Sequence, residues 1–160
     1  MKLGLAIEEL HRSENHLAGA LLAMSDRHKA DHEVFHVARD IARWSQDHVR
    51  SLSEIGEDFG VHLDPEPKGD PGLLEKVRQS ASDLMGRSSA PGMLLLADLR
   101  HIHREAAGTS LDWELLAQAA QGARKKELLE LAERCHPDTL RQMRWANGKL
   151  KEAATQVLVS

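Results

Sequence analysis

The sequence predicts an all-α domain, an antiparallel bundle of four helices with a long crossover between the second and third helices. Apolar residues recur in alternating steps of three and four along four long segments, which is the spacing of a single buried helical face. Short polar or glycine-containing breaks separate the first segment from the second and the third from the fourth. About thirty residues, from Gly60 to Gly92, separate the second segment from the third.

The first two helices are predicted to form a hairpin. Only a few polar residues, around Ser25 to Lys29, separate them, so the second helix must fold back along the first. The apolar face of the first helix is predicted to contain Leu3, Ile7, Leu10, Glu14, Leu17, Leu21 and Met24. That of the second is predicted to contain Val34, Ala38, Ile41, Ser45, His48, Leu52, Ile55 and Phe59.

The third and fourth helices are predicted to form a second hairpin around Gly122, a residue type that readily ends a helix. The fourth is predicted from about Lys125 to about Val157, with Pro137 inside it. Proline removes one backbone hydrogen bond, so we favour a kinked helix over a separate helix that begins at Pro137. The inward residues are predicted to be Leu95, Leu99, Ile102, Ala106, Thr109, Trp113, Leu116 and Ala120, then Leu128, Ala132, Cys135, Thr139, Gln142 and Ala146.

The segment between the hairpins has the composition of a connection. Pro65, Pro67 and Pro71 lie at its beginning, and the pattern of Leu73–Leu84 predicts a short amphipathic helix within it. No repeat of solenoid length is present, and 160 residues suit one compact domain. The sequence therefore predicts a single domain, residues 1–160, with a short helix in the crossover.

Composition restricts the classes of function. The net charge is −4 and basic residues alternate with acidic ones, which argues against nucleic acid and membrane surfaces as partners. One cysteine allows no internal disulfide, no uncharged run is long enough to span a membrane, and a cytoplasmic location is expected. Ten histidines, in contrast, suggest a metal site, because neutral imidazole is a common metal ligand.

Polar residues occupy positions in the helical faces where leucine would be expected. Glu14 precedes the first turn by about as many residues as Ser45 and His48 follow it, so the three are predicted to share one layer of the bundle. The same count around Gly122 places Ile102 level with two polar residues of the fourth helix. These are Thr139 and Gln142.

Two stretches, Met93–Leu99 and Leu140–Trp145, resemble the corresponding parts of bacterioferritin- and rubrerythrin-type sequences. Together with two hairpins joined by a long crossover, they identify the chain as similar to the ferritin-like superfamily. Hemerythrin-type bundles, which rank behind this assignment, need only short loops. The resemblance implies a di-iron centre made of one glutamate on each of two helices and a Glu-x-x-His pair on each of the others.

Transferred residue by residue, the resemblance implies that most ligands are replaced. Glu14 matches the glutamate of the first helix and His48 the histidine of the second, whereas Ser45 replaces the glutamate that precedes this histidine. The remaining ligand positions hold Ile102, Thr139 and Gln142. Since a di-iron centre needs several carboxylates, the family's oxidase and iron-storage chemistry is not expected.

Two interpretations of the polar residues follow. In the first, Glu14 and His48 form a buried structural pair, and the protein is a non-catalytic bundle that acts through its surface or oligomer interface. In the second, they bind iron or another divalent metal with a further histidine, such as His11, His101 or His136. Neither predicts an established enzymatic reaction. By analogy with the superfamily, we expect a homodimer.

Other candidate residues receive ordinary interpretations. His28, His32 and His36 recur every four residues, but His32 and His36 are predicted to point outward, where they would bind added metal only weakly. Cys135 is predicted to be a packed core thiol. Trp44, Trp113 and Trp145 are predicted to make core or dimer contacts.

Overall fold

The computed structural model describes residues 2–67 and 92–160, and these parts of the chain contain four α-helices and no β-strand. The helices are α1 (Leu3–Arg27), α2 (His32–Gly56), α3 (Met93–Gly122) and α4 (Lys126–Leu158). A 3-10 turn, Glu57–Phe59, follows α2. The all-α prediction is confirmed, while the short helix predicted over Leu73–Leu84 lies outside the described residues.

Local sequence accounts for the helix boundaries. Asp31 caps α2, because its carboxylate accepts a hydrogen bond from the Val34 backbone N–H at 3.1 Å. Gly60 and Gly92 both have positive φ angles, 75° and 84°, the first just after the 3-10 turn and the second just before α3. α4 runs without a break through Pro137, so the alternative of a separate helix beginning there is wrong.

The helices pack in pairs: α1 contacts α2 and α3, and α4 contacts α3 and α2. Their buried apolar side chains form two clusters, one towards the α1–α2 turn and one towards the α3–α4 turn. The first cluster contains Leu17, Ala20, Leu21, Met24, Val34, Ala38, Ile41, Ala42, Leu99, Ile102, Ala106, Ala146 and Ala153. The second cluster contains Leu3, Ile7, Leu10, Leu52, Trp113, Leu116, Ala120, Leu128, Leu131, Ala132 and Cys135.

Ion pairs fix the end of the bundle near the α1–α2 turn. Arg27 donates two hydrogen bonds to Asp98, at 3.0 and 2.7 Å, and His28 donates a third to the same carboxylate at 2.7 Å. Burial alone would raise the pKa of Asp98, but these hydrogen bonds and charges lower it. These contacts of Asp98 tie the beginning of α3 to the end of α1.

Within residues 2–67 and 92–160, no helix is long and apolar enough to cross a membrane.

Candidate functional site

A set of buried polar side chains lies between the two apolar clusters. We call Glu14, Ser45, His48, Thr139 and Gln142 the polar layer; each is at most 4% exposed. Along α1, Glu14 follows Leu10 of the second cluster and precedes Leu17 of the first. Burying so many polar groups is costly unless they bind one another, so their hydrogen bonds define what the layer can do.

Glu14 is the acceptor at the centre of the polar layer. Its Oε1 atom accepts a hydrogen bond from His48 Nδ1 at 2.8 Å and another from the Trp113 indole Nε1 at 2.7 Å. The Trp113 and His48 rings also meet edge to face, with centroids 5.6 Å apart. Both donors meet at one oxygen, so Glu14 joins α1 to α2 and to α3 through a single atom.

His48 is held between two carboxylates. Its second ring nitrogen, Nε2, donates to Asp138 Oδ2 at 3.1 Å, and Asp138 in turn accepts from Arg141 at 2.7 Å. A ring that donates from both nitrogens carries both protons and is an imidazolium. Burial lowers the pKa of His48, but hydrogen bonds and charges of Cys135 and Glu14 outweigh this and raise it to about 11.

The α4 side of the polar layer is bound to α2 by Gln142. Its side-chain amide donates to the Ile41 carbonyl and to Ser45 Oγ, both at 2.9 Å. Ser45, at the position where the resemblance implies a glutamate ligand, therefore accepts a hydrogen bond from Gln142. The hydrogen bonds of the layer link α1 to α2 and α2 to α4, and Trp113 links α3 to Glu14.

The structure brings two of the three predicted site residues together. Glu14 and His48 are in direct contact, whereas the His11 ring nitrogens are hydrogen-bonded to the Asp64 carbonyl at 2.9 Å and to Asn15 at 3.5 Å. The metal-ligand role of His11 stays a prediction. His136 Nε2 lies 2.8 Å from Ser110 Oγ. Among the described residues, no group of three or more His, Cys, Asp or Glu side chains is arranged to hold a metal.

Sequence reasoning missed two members of the network, Trp113 and Asp138. The α3 side chain that reaches Glu14 is Trp113, while Ile102 lies within the first cluster. The count around Gly122 agrees with the contact of His103 with the Met143 carbonyl, but it could not show that Glu14 of α1 meets α3 further along, at Trp113. Asp138 lies beside the buried face of α4, so a pattern of core positions alone could not select it.

The residues of the polar layer do not fit a di-iron centre. A protonated imidazole has no lone pair for a metal, and the oxygens of Ser45, Thr139 and Gln142 carry no charge to neutralise two cations. Glu14 Oε1 is already occupied by two donors. Metal binding here would require His48 to lose a proton and the carboxylate hydrogen bond at the nitrogen that binds the metal.

The histidines near the α1–α2 turn divide into two groups. His32 and His36 are exposed as predicted, and their ring centroids lie 6.2 Å apart. His28 instead binds Asp98 and is withdrawn from this pair. The surface therefore offers one pair of histidines, suited to weak chelation of added metal.

Comparison of the chain with models of protein families, with curated proteins and with solved structures finds no match.

Proposed function

We propose that this chain is a ferritin-like bundle in which an ionic hydrogen-bond network has replaced the metal site, and that it acts as a non-catalytic homodimer through its surface. The observation that carries this proposal is the environment of His48, whose two ring nitrogens both donate to carboxylates. Of the ligand types that the superfamily uses, Glu14 and His48 are the two that remain here, and they bind each other.

Contacts between the helices support an antiparallel arrangement within each hairpin. Ser25 near the end of α1 binds the Phe35 carbonyl near the start of α2, and Glu14 binds His48 further along. Residues later in α1 therefore contact residues earlier in α2, as expected if the two helices run in opposite directions. In the same way, His103 and Ser110 of α3 contact Met143 and His136 of α4, respectively.

Contacts between the hairpins support a crossover along the length of the bundle. Arg27 binds Asp98, and Ser13 binds Asp112 at 2.6 Å, so α3 also runs opposite to α1. Because α2 and α3 then share one direction, the chain must return from one end of the bundle to the other between them. A bundle with short loops throughout, as in hemerythrins, would alternate direction at every helix.

The described beginning of the connection supports the same path. Ser53 Oγ donates to the Leu63 carbonyl at 3.0 Å, so the chain after α2 turns back along α2. The Asp64 carbonyl then accepts from His11, about one turn of α1 before Glu14. These contacts direct the connection towards the end where α3 begins.

Elemental analysis of the untagged protein tests the metal-free part of the proposal. After anaerobic loading with Fe(II), Mn(II) or Zn(II) and desalting, we expect no stoichiometric metal. Weak binding that disappears only in the H32A/H36A variant agrees with this expectation. Stoichiometric metal that is lost in E14Q or H48A would instead establish the alternative function, a metal-binding protein with an unusual ligand set.

The exposed face of α3 is the surface that we assign to the homodimer. Leu111 and Leu115, one helical turn apart, are 60% and 67% exposed, with Gly108 exposed a turn earlier. Glu114 is the one charged residue among the exposed positions of Gly108–Gly122. A two-fold interface places a patch against its own copy, so an apolar, nearly uncharged patch avoids like-charge repulsion.

Sedimentation velocity of single-leucine variants tests this assignment. We expect a dimer for the wild type and dissociation by L111K or L115K, since each would bury two like charges. The matched control is L5K: Leu5 is 62% exposed but lies beside the charged residues Glu8 and Glu9 of α1. If the wild type is a monomer, or if only L5K dissociates the dimer, the assignment of the α3 face as the dimer interface is wrong.

A further inference from the structure

Three buried oxygen atoms of the polar layer have no hydrogen-bond partner among the residues that the structure describes. They are Glu14 Oε2, Thr139 Oγ1 and Gln142 Oε1, on side chains that are each 0% exposed. Leaving a buried polar atom without a partner costs about 1 to 3 kcal/mol, so three in one layer need an explanation.

The three atoms belong to side chains of the polar layer, one on α1 and two on α4. Thr139 and Gln142 lie on consecutive turns of α4 and face the core. Asp138, adjacent to Thr139, binds His48, and His48 binds Glu14. On α2, Ser45 follows Ile41 on the buried face and has a smaller side chain, so side-chain volume is reduced on that side of the layer.

The chemistry of the unpartnered atoms defines what would bind them. The Glu14 carboxylate oxygen and the Gln142 amide oxygen only accept hydrogen bonds, whereas the Thr139 hydroxyl can donate one. A molecule with two donors and at least one acceptor completes the set. The charges around it are already balanced, because His48 offsets Glu14 and Arg141 offsets Asp138.

We propose that the polar layer binds an internal water molecule, which donates to Glu14 Oε2 and Gln142 Oε1 and accepts from Thr139 Oγ1. Buried waters typically have about three such partners. A monovalent cation would also attract three oxygens, but it would add an uncompensated charge to a balanced site. The proposal rests on the metal-free function proposed above and assigns a ligand to the same layer.

The sign of one mutational effect tests the proposal. With a bound water, T139V removes a donor on which the water depends, and the melting temperature should fall by about 2 to 4 °C. Without one, T139V removes an unsatisfied hydroxyl, and the melting temperature should rise. The matched control is T109V, because Thr109 is equally buried but its hydroxyl already donates to the Glu105 carbonyl at 2.8 Å.

Two further measurements separate the alternatives. Oxygen-17 relaxation dispersion of the wild-type solution should reveal a long-lived internal water, and its absence would overturn the proposal even if T139V does not fold. Replacing sodium chloride by potassium or choline chloride at equal ionic strength should leave the melting temperature unchanged. A cation-specific rise would indicate an ion instead. Stoichiometric Fe(II) or Zn(II) lost in E14Q would contradict the metal-free function itself.

Discussion

His48 Nδ1 lies 2.8 Å from Glu14 Oε1 in the interior of the bundle, where His48 is 4% exposed and Glu14 is fully buried. The pair joins α1 to α2 between two apolar clusters. A buried ion pair adds little net stability compared with apolar residues, but breaking it leaves one charge without a partner. This asymmetry makes the pair testable.

Removing the charge of Glu14 should be costly. We expect E14Q to lower the free energy of unfolding by about 3 kcal/mol or more, since the imidazolium loses its buried counter-charge. Urea unfolding measures the change, and E9Q is the control, because Glu9 is an exposed residue of the same helix. In the E14Q/H48Q double variant, part of the loss should be recovered. Equal costs for E14Q and E9Q would contradict the interpretation.

The charge of His48 should make stability depend on pH. The folded-state pKa is raised from 6.5 to about 11, so its stabilising contribution is complete below pH 6.5 and is lost as the pH rises towards 11. For one proton, the slope is at most about 1.4 kcal/mol per pH unit. Unfolding free energies between pH 6 and pH 10 should therefore fall in the wild type more steeply than in H48Q. Parallel profiles would show that His48 does not titrate this way.

The indole of Trp113 should contribute through its N–H group as well as its size. We expect W113F to cost more stability than W145F, because Trp113 donates to a buried carboxylate whereas the buried Trp145 Nε1 has no partner among the described residues. Losing a hydrogen bond to a charged group costs about 1.5 to 3 kcal/mol. Thermal and urea unfolding of both variants provide the comparison. A larger loss in W145F would contradict a stabilising role for the hydrogen bond from Trp113 to Glu14.

The glycine before α3 should be irreplaceable. Gly92 has a φ angle of 84°, and a β-carbon there would overlap the side chain of Val157. G92A should therefore lower the free energy of unfolding by about 1 to 2 kcal/mol or more. The control is G148A, since Gly148 lies within α4 with open space around it and alanine should stabilise that helix by about 0.5 to 1 kcal/mol. A harmless G92A would mean that this end of α3 rearranges easily.

Periodicity identified the helices and much of the core because burial of one helical face repeats regularly along the chain. Glu14 and His48 were recognised for the same reason, as polar residues at positions where the period requires an apolar one. Asp138 does not occupy a position of the apolar pattern, so periodicity could not identify it. It becomes a hydrogen-bond partner of His48 only because α4 packs close to α2. Trp113 was expected in the core, but its hydrogen bond to Glu14 depends on the relative height of α1 and α3.

The sequence by itself determined an all-α chain, the helix-ending turns and a core containing misplaced polar residues, because these are properties of one helix at a time. Tertiary structure decided how the polar residues are used. The carboxylate, imidazole and indole that meet come from α1, α2 and α3, and no local pattern records the distances between helices. At those distances His48 donates hydrogen bonds from both ring nitrogens, so Glu14 and His48, the two candidate metal ligands, bind each other.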